Sequence, residues 1–82
     1  MKIKYFAWLK KYTKKDEEVI NDSSIIDINS LKKFISKKYP SLKRYINNED
    51  TIRIAINLKY VSKNKKISKN DEIALFPPVS GG

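Results

Sequence analysis

The chain has no cysteine and no histidine, and its only two glycines are the last two residues. Disulfides, thiolate catalysis and the usual zinc ligand sets are therefore excluded. No apolar run is long enough to span a bilayer, and no signal peptide or lipidation motif is present, so a cytoplasmic protein is expected. No internal repeat or low-complexity linker divides the 82 residues. One domain is expected, of a size that buries only about 60 % of its unfolded surface and leaves no room for a deep catalytic pocket. Acids are also scarce: 9 Asp and Glu stand against 18 Lys and Arg, for a net charge of +9. That excess invites a nucleic-acid or acidic-membrane reading. Yet only Arg44 and Arg53 are arginines, and the lysines are scattered among Asn and Ile. The nearest thing to a basic cluster, Lys63-Asn64-Lys65-Lys66, reads as a solvated loop. Neither membrane nor nucleic acid is expected as a partner, and the charge is left to tune how the protein meets other proteins.

What is present is a hydrophobic fraction of 40 % in well-spaced runs, enough for a folded globule. Lys2 to Leu9 alternates, with Ile3, Tyr5, Ala7 and Leu9 on one face and Lys2, Lys4, Phe6 and Trp8 on the other, which predicts a first strand. Lys10 to Asp16 suits a hairpin connection, and Glu17 to Ile20 a returning strand. Asn21-Asp22-Ser23 matches a glycosylation acceptor but reads most simply as a turn. Asp27 is placed as an N-cap for a helix over Ile28 to Lys38, with Leu31, Phe34, Ile35 and Tyr39 forming its apolar stripe. Pro40 ends that helix, and Ser41 to Ile46 adds a short turn before the polar Asn47 to Asp50 loop. From Thr51 the period returns to two, with Ile52, Ile54 and Ile56 on a buried face. A brief strand near Lys59 to Ser62, an inward Ile67, a turn at Lys69-Asn70-Asp71 and a final strand from Glu72 to Phe76 complete the order. Strands, one helix and more strands in so short a chain predict an α+β fold, with the helix across one face of a mixed sheet.

The chain then closes on Phe76-Pro77-Pro78-Val79-Ser80-Gly81-Gly82. Two prolines lack N–H donors and fix φ, so the sheet stops near Phe76 and residues 77–82 form an extended tail on a body of residues 1–76. At about 3.3 Å per residue the tail reaches roughly 20 Å, enough to enter another protein's active site. Gly81 and Gly82 have no Cβ and can follow a tunnel that side chains would block. The one reactive group is the Gly82 α-carboxylate, ionised at neutral pH. It suits activation as a mixed anhydride with AMP, followed by attack of a sulfur or nitrogen nucleophile on the acyl carbon. Taken alone, a terminal Gly-Gly reads more simply as a frayed end.

The whole string decides between them. Asp71-Glu72, an apolar strand and Phe-Pro-Pro-Val-Ser-Gly-Gly at the terminus resemble, without a gap, the ending of the small sulfur-carrier subunits of molybdopterin synthase, a family of ubiquitin-like proteins. Ile3-Lys4-Tyr5-Phe6-Ala7-Trp8-Leu9 is similar to the family's first strand, and Ile54-Ala55-Ile56-Asn57 to its central strand. Only Tyr12 to Asp27 aligns loosely. The resemblance implies the β-grasp fold of ubiquitin and a non-catalytic carrier. Its Gly82 would be adenylated by a ubiquitin-activating-type enzyme that uses ATP, then converted to a thiocarboxylate by a sulfur donor. The loaded tail, Pro77, Pro78, Val79, Ser80 and Gly81 leading to Gly82, would enter the large subunit of a heterotetrameric synthase and give its sulfur to cyclic pyranopterin monophosphate. No cofactor or metal is expected to be bound stably, and acid and base groups must come from the large subunit.

A carrier also needs a docking surface. The alternation turns Phe6, Trp8, Tyr60 and Phe76 away from the helix, and exposed apolar patches commonly mark partner sites. The resemblance assigns Phe6, Tyr60 and Phe76 to partner contact, while Trp8 and Tyr60 equally suit the shielding of sheet edges or loop stems. The rival readings are a sister carrier for thiamine thiazole or tRNA thiolation, a ubiquitin-like modifier joined to target lysines, and a basic nucleic-acid-binding module.

Overall fold

The first strand, β1 (Lys2–Tyr5), stops at Tyr5 and not at Leu9. In the computed structural model, which describes residues 1–78, Ala7 turns the chain with φ 54°. A short helix, α1 (Leu9–Thr13), then occupies most of what the sequence pattern predicts as a hairpin connection. Leu9 and Thr13, one turn apart, are both buried, so the helical period wins over the strand period once the backbone has turned. Ala7 consequently lies exposed instead of facing inward. Lys14 closes α1 in the left-handed region, φ 63°, its N–H donating to the Lys10 carbonyl. The chain returns as β2 (Glu17–Val19), antiparallel to β1 with Ile3 opposite Glu18. Asp22 then accepts from the Ser24 N–H at 2.9 Å, a turn as the sequence predicts.

Helix α2 (Ile28–Lys38) has the predicted limits and the predicted cap. The Asp27 carboxylate accepts from the Ser30 N–H at 2.8 Å, and the Ser30 hydroxyl accepts from the Asp27 N–H at 3.0 Å, a reciprocal capping box. The Ser30 amide, its hydroxyl and Asn64 together hold the Asp27 pKa below the usual carboxylate range. The lysine loop has a structural task that its composition does not announce. The Asn64 side-chain carbonyl accepts from the Asn29 N–H at 2.9 Å, and the Lys65 carbonyl accepts from the Ile28 N–H at 3.0 Å. The loop thus satisfies first-turn amides that a helix leaves without partners, while the side chains of Lys63, Lys65 and Lys66 stay exposed.

A 3-10 turn from Pro40 to Leu42 and helix α3 (Lys43–Ile46) follow, and Leu42 and Ile46 are buried. Strands β3 (Arg53–Ile56), β4 (Lys59–Val61) and β5 (Glu72–Phe76) complete a sheet in the order β2-β1-β5-β3-β4. β1 and β5 run parallel, and the other pairs are antiparallel. The core lies between one sheet face and the helices: Ile3, Tyr5, Ile73 and Leu75 join Leu31, Ile35 and Leu42 in one cluster. Full burial of such a side chain is worth about 1.5–3 kcal/mol.

One charge sits at the edge of this core. Glu18 accepts hydrogen bonds from the Tyr5 and Tyr39 hydroxyls, both at 2.5 Å, and from Lys38 Nζ at 2.6 Å. Burial alone would raise its pKa, but these donors outweigh it and bring it down to about 2. Burial and the Glu18 carboxylate push Tyr39 up to about 12, and Tyr5 higher still. Glu18 therefore fastens the short edge strand β2 to the end of α2.

Candidate functional site

The opposite sheet face carries the residues that the sequence marks for docking. β1 and β5 pair in register with Lys4 opposite Ala74 and Tyr5 opposite Leu75, so the next residues, Phe6 and Phe76, come side by side. The Phe6 N–H extends this ladder by donating to the Leu75 carbonyl at 3.1 Å. On the other side of β5, Phe76 pairs with Arg53, and Ala55 pairs with both Ala74 and Tyr60. Phe6 and Tyr60 are 44 % and 47 % exposed, and Phe76 is half-buried between them. Phe6, Phe76 and Arg53 thus stand in one row, the small Ala74 and Ala55 lead to Tyr60 in the next, and Arg53 reaches across to the Tyr60 ring, so the four larger side chains frame one patch. An apolar row above a shallow floor can take a flat partner surface.

The structure changes one member of the set and adds others. Trp8 does not share the row. The turn at Ala7 carries it to the α1 side, where it packs edge-on against Tyr12 at 6.0 Å and Tyr45 at 5.1 Å. It shields a helix junction, the alternative that the sequence leaves open. Tyr60 is more than an edge cover, because the Arg53 guanidinium lies over its ring at 5.4 Å. The hairpin register reveals this pair, and the alternation of Arg53 with three isoleucines does not. Lys2 pairs with Glu17 at 3.2 Å and Lys4 with Glu72 at 3.4 Å, so the charges beside the row balance.

Pro77 and Pro78 follow β5 outside the sheet and are half-buried. The prolines end the ladder directly after Phe76, as their missing donors require. Val79, Ser80, Gly81 and Gly82 lie outside the described residues. Among the described residues, no group of three or more His, Cys, Asp or Glu is placed to hold a metal ion. Nor is any helix there long and apolar enough to cross a membrane.

A mixed five-stranded sheet of this order with a capped helix across one face defines a ubiquitin-like β-grasp protein. Its last strand ends at Phe76 within the apolar face, and Pro77 and Pro78 follow it. More narrowly, the chain belongs to the ThiS family, whose profile matches residues 3–82. A molybdopterin synthase sulfur carrier subunit of Dictyostelium discoideum is 36 % identical over 86 residues, covering 99 % of this chain and 94 % of the relative. The solved structure of a Pyrococcus furiosus chain assigned as molybdopterin converting factor, subunit 1, superposes with a TM-score of 0.82 at 32 % identity, covering 95 % of each chain. The small archaeal modifier protein 1 of Methanosarcina acetivorans superposes at 0.77 with 26 % identity, covering 99 % of this chain and 94 % of that one.

Proposed function

We propose that this chain is the sulfur-carrying subunit of a molybdopterin synthase. The observation that carries the reading is the match of the family profile through to Gly82, on a fold whose final strand runs out beside the Phe6 and Phe76 row. The Gly82 carboxylate attacks the α-phosphorus of ATP on an adenylating partner, forming an acyl-adenylate and releasing pyrophosphate. A sulfide-equivalent nucleophile then displaces AMP and leaves the terminal thiocarboxylate. In the large subunit the sulfur attacks a side-chain carbon of cyclic pyranopterin monophosphate and displaces an oxygen substituent from it. Water cleaves the remaining acyl–sulfur bond and restores the carboxylate, and a second loaded chain repeats the transfer to complete the dithiolene. The body contributes docking through Phe6, Tyr60 and Phe76, and the tail contributes reach and a narrow profile. The large subunit owns the groups that move protons.

The test is reconstitution. The thiolated chain is mixed with a large subunit and the pyranopterin precursor, and the dithiolene product is assayed. Product formation that depends on both proteins supports the reading, and a thiolated chain that never transfers its sulfur to the pterin counts against it.

A second reading, conjugation to target lysines, is favoured by the likeness to the archaeal modifier. It shares the activation step and differs in its product. Isopeptide-linked adducts in cells expressing the chain, absent when Gly82 is deleted, would mark that use.

A further inference from the structure

Three shallow depressions run together along the outer side of the helices. The first, on α2, is lined by Lys32, Lys33, Lys37 and Lys43. The second shares Lys43 with the first and adds Arg44 and Tyr12. The third meets it at Tyr12 and adds Lys11. None of the three is lined by an acid, so six cations face one continuous groove. The ion pairs among the described residues engage Lys2, Lys4, Lys10, Lys15 and Lys38, and none of these six. Of the nearby acids, Asp27 is held in the α2 cap by Ser30 and Asn64. Glu49 lines an adjoining cleft that shares Asn29 and Lys32 with the first depression and leads toward Tyr60 and Val61, so it borders the groove at one end only. Residues 32–44 supply all of these cations but Lys11, which the fold brings to them from α1.

We propose that this groove docks an acidic, extended segment of a partner protein. Like charges held close together repel one another, and a segment of opposite charge relieves that repulsion while steering association. Side chains on alternate residues of an extended peptide stand about 6.6 Å apart. That is close to the ~6 Å rise between Lys33 and Lys37, four residues apart on α2. Asn29, Ser36 and Asn47 line the same groove and supply both donors and acceptors for a peptide backbone.

A nucleic acid fits less well. Trp8, Tyr12 and Tyr45 pack against one another at 5.1–6.3 Å, and Arg44 already lies over Tyr45 at 4.8 Å. The ring faces on which bases would stack are thereby occupied. The groove also lies on the helix side, away from Phe6 and Phe76, and approaches Tyr60 only through the cleft that begins at Asn29 and Lys32.

The experiment compares fluorescein-labelled oligoglutamate with an oligothymidylate of equal charge, by anisotropy at matched ionic strength. Three proteins are used: the full chain, a Lys33→Gln/Lys37→Gln/Lys43→Gln variant, and a Lys59→Gln/Lys63→Gln/Lys69→Gln control that loses the same charge elsewhere. The full chain should bind oligoglutamate more tightly than oligothymidylate. The groove variant should lose about tenfold in affinity and the control less than about twofold. Equal losses in the two variants would reduce the effect to net charge, and a preference for oligothymidylate would make the site one for nucleic acid. Either overturns the proposal. Amide chemical-shift changes in the unsubstituted chain on adding oligoglutamate give a reading independent of any variant's folding. They should cluster on α2, α3 and α1, and changes confined to the sheet face would equally refute the site.

Discussion

The two sides of this protein handle charge in opposite ways. On the open sheet face Lys2 and Lys4 are matched by Glu17 and Glu72, and the apolar row of Phe6, Phe76 and Tyr60 stands beside balanced charges. On the helix side Lys32, Lys33, Lys37 and Lys43 line a groove that contains no acid. Part of the net charge of +9 is thus gathered on the helix side, while the lysines of the loop before β5 carry more of it elsewhere. The balanced side is suited to contact through buried apolar area, with little dependence on salt. The unbalanced side is suited to attraction at a distance and should weaken steeply as salt is added.

The comparison can be broken first at the sheet itself, where adjacent residues of β5 serve opposite faces. Leu75→Ala empties a fully buried site and should cost about 2–5 kcal/mol in denaturant unfolding. If it proved as mild as a surface change, the placement of the core would be wrong.

Glu18 is the helix-side charge that is well matched, and its removal should come next. Glu18→Gln weakens acceptance from Tyr5, Tyr39 and Lys38 and should cost about 1–3 kcal/mol at neutral pH. Because the folded pKa is lowered to about 2, the ionised form favours folding. The contribution is full above the unfolded pKa, near ~4.3, and fades as pH falls toward the folded value. Urea midpoints followed from pH 7 down to 2 should drop less in Glu18→Gln than in the parent chain. Parallel curves would remove Glu18 from the account.

Phe76→Ala, one residue from Leu75, should cost about 1 kcal/mol or less in stability. It should nonetheless weaken binding to a large subunit by about tenfold, or ~1.4 kcal/mol. Unchanged affinity in a calorimetric titration would detach the apolar row from docking.

Smaller still is an effect at the β3–β4 hairpin, where Leu58 takes φ 70° and is 90 % exposed. A bulky residue is strained there, so Leu58→Gly should stabilise the chain by about 0.5–1 kcal/mol. A lowered melting temperature would show that the leucine has a packing role. Last, Lys4→Met removes an exposed ion pair on the open face and should shift stability by less than about 0.5 kcal/mol.

The contrast between the faces also explains what the sequence could reveal. Helix α2 was legible to the residue because Asp27 caps it and Leu31 and Ile35 recur at its period, both local signals. The isoleucines before β3 and within it were legible for the same reason. The limit of β1 was not, because Leu9 satisfies the strand period from Ile3 and the helical period to Thr13 alike. Only the turn at Ala7 separates the two, and with it Trp8 leaves the expected docking set. Asn64 was opaque because its partners, Asn29 and Asp27, lie far off in sequence. The cationic groove was hidden likewise. Lys33 and Lys37 belong to α2 and Lys43 to α3, close in sequence, but Lys11 belongs to α1, and no local signal shows that α1 and α3 fold to the same side as α2.

The claim on which the rest depends is that the final carboxylate is the business end of the molecule. The direct measurement is the intact mass of the chain after incubation with ATP, an adenylating enzyme and a sulfide source, set beside a chain that ends at Gly81. The account predicts exchange of one oxygen for sulfur in the full chain and none in the shortened one. Equal thiolation of both, or an unchanged mass in the full chain, would contradict it.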